Sequence, residues 1–135
     1  VSNLTFLNLQ LTIDNSGKVT LSAASSVTTG IRELTATGNI LAEDDLVIFK
    51  GTTASQVLTL PNRTGLDGKS IRVINMSTQT VTVTGYQSQD INKQQNAVLA
   101  APASNIQSSM TLVAGSSQSD WIVVASIGTV TIAGS

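Results

Sequence analysis

Ile71-Arg72-Val73-Ile74-Asn75, followed by Met76-Ser77-Thr78-Gln79 and then Thr80-Val81-Thr82-Val83-Thr84, is the stretch on which the fold turns. Apolar and polar residues largely alternate on both sides of a four-residue gap, the period of a strand with one face in a core and one in water. Thr on the outer face favours strand through its branched, stiff side chain. The gap has hairpin length, so an antiparallel hairpin is expected.

The same rhythm extends outward. In Leu7-Asn8-Leu9-Gln10-Leu11-Thr12-Ile13 the odd positions are apolar. Asp14-Asn15-Ser16-Gly17 supplies turn chemistry before Val19 and Leu21 resume the pattern, giving a second hairpin. Met110-Thr111-Leu112-Val113-Ala114 and Trp121-Ile122-Val123-Val124-Ala125 flank a Gly/Ser loop as a third. Residues 31–36, 46–49, 57–60 and 129–132 add further strands, for about ten in all at the spacing of sandwiches and barrels. Leu46-Val47-Ile48-Phe49 is apolar on both faces and reads as a central strand covered on two sides, while Pro61 marks an edge or exit. The one helix candidate is 92–101, where Asn92 and Gln95 imitate a capping box ahead of Val98, Leu99 and Ala100; an all-β chain without it is the preferred reading. The expected fold is an antiparallel β-sandwich or jelly-roll-like module over residues 41–135, preceded by an N-terminal β-hairpin and anchoring segment over residues 1–40.

Composition excludes much of the usual chemistry. Ser, Thr, Asn and Gln make up 53 of 135 residues, whereas charged residues are 11 %, less than half the common share of about 25 %. The chain has no His and no Cys, which removes imidazole and thiolate catalysis, disulfides and Cys/His metal sites. Ser-x-x-Lys does not occur, so no serine nucleophile has a base at that spacing. Glu43-Asp44-Asp45, Asp67-Gly68 and Asp14-Asn15 do not follow the spacing of a calcium loop, and the first reads as a solvated turn. Lys69, Arg72 and Arg63 surround Gly65-Leu66-Asp67-Gly68, a loop that follows Pro61 instead of opening a helix, and read as a solvated rim. Asn3, Asn62 and Asn75 begin glycosylation sequons by chance in so Asn/Ser/Thr-rich a chain, and receive no function. Neither a catalytic residue nor a cofactor is expected.

With a net charge of -1 the chain lacks the field that gathers phosphates or acidic membranes, so nucleic acid and membrane are poor partners. No apolar run approaches the ~18 residues of a spanning helix, and no basic-then-apolar leader opens the chain, which reads as soluble and untargeted. Val1 fits removal of an initiator Met, or equally a cut from a longer protein. Edge strands are normally guarded by Lys, Glu or Pro, yet residues 7–13 and 129–132 carry no Lys, Glu or Pro. They are therefore candidate strand-addition sites between copies, with pairing inside the monomer as the alternative. The contact residues this singles out are Leu4, Phe6, Leu7, Leu9, Leu11, Thr129, Val130 and Ile132.

Residues 45–126 carry an ordered series: Thr59-Leu60-Pro61, Gly68-Lys69, Ile71-Arg72-Val73-Ile74-Asn75, Val81-Thr82-Val83, Leu112-Val113 and Trp121-Ile122-Val123. This series resembles a β module found in structural proteins of tailed bacteriophages, in fibres and capsid-surface proteins. The resemblance implies a non-catalytic virion building block, usually a homotrimer. It points to a capsid decoration or head-fibre subunit that is made in the host cytoplasm, resides in the virion, and contacts the major capsid protein or another virion protein through residues 1–40. The alternative is a collar or terminal tail-fibre module that recognises the host surface. A third reading is a glycan-binding module built on Tyr86 and Trp121, against which Trp121 opening an apolar strand favours a core role.

Overall fold

The computed structural model describes residues 9–13, 15–23, 30–102, 106–115 and 120–134. Among them every regular element is a strand: β1 (Leu9–Ile13), β2 (Val19–Ala23), β3 (Ile31–Leu34), β4 (Gly38–Asn39), β5 (Leu46–Phe49), β6 (Gln56–Thr59), β7 (Ser70–Asn75), β8 (Val81–Thr84), β9 (Asn96–Leu99), β10 (Ser108–Ala114), β11 (Trp121–Ile127) and β12 (Val130–Ala133). β1 and β2 form an antiparallel hairpin across the expected turn, with Ile13 opposite Val19. The other ten strands form two five-stranded sheets, ordered β11-β10-β7-β5-β3 and β12-β9-β8-β6-β4. The chain is all-β, as expected, but its sheets are mixed.

Three consecutive windings produce the mixture. The chain passes from β3 to β4, from β5 to β6 and from β7 to β8, laying one strand in the first sheet and the next in the second each time. Hence β3, β5 and β7 are mutually parallel, as are β4, β6 and β8. Parallel neighbours need a crossover, and here a strand of the opposite sheet supplies it. β10 and β11 then extend the first sheet antiparallel, and β9 and β12 extend the second likewise. The expectation of a wholly antiparallel module is corrected accordingly, and a jelly roll, built from antiparallel Greek keys, goes with it. The division at residue 40 falls between β4 and β5, so residues 31–39 supply the outermost strand of each sheet on that side.

The stretch 71–84 is the clearest correction, since β7 and β8 lie in different sheets and do not pair. At the crossing stands Asn75, fully buried at the end of β7. Its side-chain oxygen accepts the backbone N–H of Ser77 at 3.0 Å and the Ser77 hydroxyl at 2.8 Å. Its Nδ2 donates to the carbonyls of Gln79, Leu99 and Ala100 at 2.7, 3.0 and 3.1 Å. This Asx turn sends the chain from one layer into the other, and the buried amide ties the corner to β9.

Alternate positions of both sheets meet in one core. Val47, Phe49, Ile71, Val73, Met110, Leu112, Ala114 and Trp121 enter from the first, and Leu58, Val81, Val83, Ala97 and Leu99 from the second. β5 is interior to its sheet, between β7 and the edge strand β3, but it is not covered on both sides as expected: Val47 and Phe49 are buried while Leu46 and Ile48 are half-buried. The chain leaves β6 just before Pro61, the expected exit. Residues 92–101 form no helix: Asn92 and Lys93 adopt left-handed φ of 49° and 66° between Ile91 and Gln94, which exchange backbone hydrogen bonds, and β9 follows. That geometry is a two-residue hairpin turn, in which the polar spacing of a capping box has no helix to cap.

Candidate interaction surfaces

The faces that the two sheets turn away from the core differ in chemistry. On the second sheet, paired positions run Thr131, Val98, Thr82 and Val57 in one row and Ala133, Asn96, Thr84 and Thr59 in the next. Hydroxyls and an amide dominate that face. On the first sheet the corresponding rows run Ile127, Ser109, Ile74, Ile48 and Glu33, then Ala125, Thr111, Arg72, Leu46 and Ile31, then Ile122, Val113 and Ser70. Isoleucine prevails there. Ile31, Ile122, Val124 and Ile127 are 46–58 % exposed, values expected of charged surface residues.

A bulge between Thr111 and Leu112 leaves Val124 unpaired on β11 and turned outward. Two adjoining hollows of about 250 and 260 Å³ share Arg72, Ser109 and Ile127, and Ile74 and Ile106 line one of them. Among the described residues Arg72 forms no ion pair, unlike the other bases nearby: Arg32 binds Asp44, Lys50 binds Glu33 and Lys69 binds Asp45. Asp44 is itself 3 % exposed and also accepts the Leu41 N–H at 2.7 Å, so the acidic triplet is a turn, but not a wholly solvated one.

The two flanks also differ. At one, β3 carries Arg32 and Glu33. At the other, β11 and β12 are edge strands without charge, joined through Gly128 and Thr129. Gly128 has φ 73°, and a Cβ there would lie 2.9 Å from the Ser108 Cα, so this tight link admits no side chain. Loop residues cover the start of the β11 edge: Trp121 N–H donates to the Asp90 carbonyl at 2.8 Å, Asn92 N–H to the Trp121 carbonyl at 2.9 Å, and Val123 N–H to Asn92 Oδ1 at 2.9 Å.

Of the contact residues read from sequence, Leu4, Phe6 and Leu7 lie outside the described residues. Leu9 and Leu11 pair with Ala23 and Leu21 within the β1–β2 hairpin. Thr129 is exposed in the link before β12. β12 is an edge strand, but Val130 and Ile132 pack against the core, so β12 offers a partner its backbone and not those side chains. The first sheet's outer face escaped the strand reading because Ile31, Ile74 and Ile127 come from separate stretches that only the sheet order unites. One signal was legible: Ile122 and Val124, the outward positions of an apolar strand without charge.

Tyr86 lines a shallow hollow of about 280 Å³ with Leu41, Pro61, Asn39 and Asn62, while Trp121 is fully buried, so the two aromatics form no common platform. Asn75 is likewise sealed in the core, which removes its sequon from reach. Among the described residues no group of three or more acidic side chains is placed to hold a metal ion, and no helix is long and apolar enough to cross a membrane. No protein-family model, curated protein or solved structure matches the chain.

Proposed function

We propose that this chain is a non-enzymatic structural subunit of a tailed-phage virion, a capsid decoration or head-fibre protein. On this reading a two-layer β-sandwich assembles as a homotrimer and binds the outer shell. The observation that carries the reading is the isoleucine-rich outer face of the first sheet. Large exposed apolar patches mark contact surfaces, and this one comes with an uncharged flank suited to strand addition. The ordered motifs from Thr59 to Trp121 supply the virion context. A shell-bound subunit also gains from a core that depends on neither thiols nor histidines, neither of which this chain has.

Light scattering of the purified chain tests the assembly, with three times the 14.0 kDa chain mass expected. Mixing the chain with undecorated capsids and counting bound copies by electron microscopy tests the attachment. Removing residues 1–11 is expected to abolish binding while leaving the two sheets folded. A chain that stays monomeric and ignores capsids would sink the reading.

A further inference from the structure

We infer that the hollow beside Tyr86, at the ends of β4, β6 and β8, is a seat for one uncharged pyranose ring. Its floor comes from the windings. Asn39, Thr59 and Thr84 stand side by side across the three parallel strands. The ladder runs one residue further, with Ile40 N–H donating to the Thr59 carbonyl and Leu60 N–H to the Thr84 carbonyl, each at 2.8 Å. Two residues beyond the first row come Leu41, Pro61 and Tyr86, which strand alternation returns to the same side. All three line one hollow of about 280 Å³ together with Asn39, Thr59 and Asn62. The seat lies on the second sheet, apart from the isoleucine face, so it stands whether or not the chain binds a shell.

The chemistry of the lining selects the ligand. Leu41, Pro61 and the Tyr86 ring offer apolar surface to the C–H face of a sugar, while the two amides and the Thr59 hydroxyl both donate and accept, as sugar hydroxyls do. No charged residue lines the hollow, and Arg32, which donates to the Asn39 carbonyl, is spent on Asp44. A phosphate or carboxylate would therefore find no cation to pair with. At about 280 Å³ the space falls just short of the ~300–1,000 Å³ of pockets for drug-sized ligands, which matches a single ring. The glycan reading thus loses Trp121 and keeps Tyr86.

The walls are held in place before any ligand arrives. Gln87, next to Tyr86, has φ 51°, a conformation that L residues avoid and that clusters at ligand-binding sites. Its Nε2 donates to the Tyr86 hydroxyl at 3.3 Å, and the Gln89 N–H closes the turn on the Tyr86 carbonyl at 2.9 Å. Gly85 is required there, since a Cβ would strike the Gln89 carbonyl. Gln89 then braces the opposite wall: its Nε2 donates to Asn62 Oδ1 at 2.9 Å, and its Oε1 accepts the Arg63 N–H at 2.9 Å. Asn62 Oδ1 also accepts the Thr64 N–H at 3.0 Å, which leaves Nδ2 as a donor without a partner among the described residues. The exposed Asn39 amide makes no hydrogen bond among them either. Such preorganisation lowers the ordering cost of binding.

The test is a chemical-shift titration of the full-length chain with the methyl glycosides of glucose, galactose, mannose and N-acetylglucosamine, with glycerol and inorganic phosphate as controls. At least one glycoside is expected to shift resonances of residues 39–42, 59–62 and 86 with a Kd of about 1–10 mM, the strength of one ring in a shallow seat. Tyr86→Ala should weaken that binding at least tenfold, whereas Tyr86→Phe, which keeps the ring, should stay within threefold of the parent. Asn39→Leu removes a side chain that bonds nothing in the protein, so it keeps the test alive should Tyr86→Ala fail to fold; it should weaken binding at least threefold with an unchanged circular dichroism spectrum. No shift from any of the four glycosides at 50 mM would overturn the inference. So would equal shifts from glycerol or phosphate, or undiminished binding in folded Tyr86→Ala or Asn39→Leu.

Discussion

The side-chain oxygen of Asn92 accepts the backbone N–H of Val123 at 2.9 Å, so that one loop amide occupies part of the outer edge of β11. Asn92 can do this because it sits in the left-handed region at φ 49°, which Asn tolerates better than most residues. Asn92→Ala loses both the hydrogen bond and the conformational preference. The expected cost is about 1–2 kcal/mol in chemical denaturation, with faster hydrogen exchange at the Val123 amide.

Lys93, the next residue, is in the same region at φ 66°, where a side chain costs roughly 1 kcal/mol and Gly costs nothing comparable. Lys93→Gly completes the Asn-Gly pair preferred in such turns. It should therefore raise the denaturation midpoint by up to about 1 kcal/mol equivalent, and a destabilised variant would contradict the turn geometry.

Asn75 supports the layer crossing through five hydrogen bonds from a fully buried position. Asn75→Ala should cost about 3 kcal/mol, because several buried partners lose their bonds at once. Asn75→Asp should behave differently with pH. Its carboxylate would face three carbonyl oxygens, which raises its folded pKa above the unfolded value of about 3.9. The acid form is then the one the fold accepts: stability is greatest below pH ~4 and is lost as pH rises through the folded pKa, a trend that urea titrations across pH would reveal.

Trp121 is fully buried, and its indole N–H has no hydrogen-bond partner among the described residues. Trp121→Phe removes an unsatisfied donor along with some volume, so the net loss should be under about 1.5 kcal/mol. Trp121→Ala should cost about 3–5 kcal/mol and unfold much of the population at 37 °C. A stable Trp121→Ala protein that had merely lost glycan binding would instead revive a surface role for this ring.

How far the sequence can be read is decided residue by residue. Turn chemistry at Asn15 to Gly17 and the Gly/Ser loop after Ala114 announce local hairpins, and both form because their partners are adjacent in the chain. Alternation at Val81 and Val83 states which side chains are buried, but not which strand lies alongside. β8 takes β6 and β9 as neighbours and not β7, and the buried amide of Asn75, donating to the Leu99 carbonyl at 3.0 Å, sits at the corner where the chain changes layer, a contact no local pattern marks. Parallel pairing such as Leu46 with Arg72 joins residues too far apart in sequence for any local pattern to mark. The isoleucine face was harder still to see, since it exists only once β11, β10, β7, β5 and β3 stand in order.

The three windings give the fold an inexpensive route to change. A duplicated stretch inserted after Thr59 would set one more strand into each layer and broaden both by about 4.8 Å. The guarded and unguarded margins would remain as they are. Gene duplication would thus lengthen this fold like an added course of bricks, widening both layers without disturbing their margins.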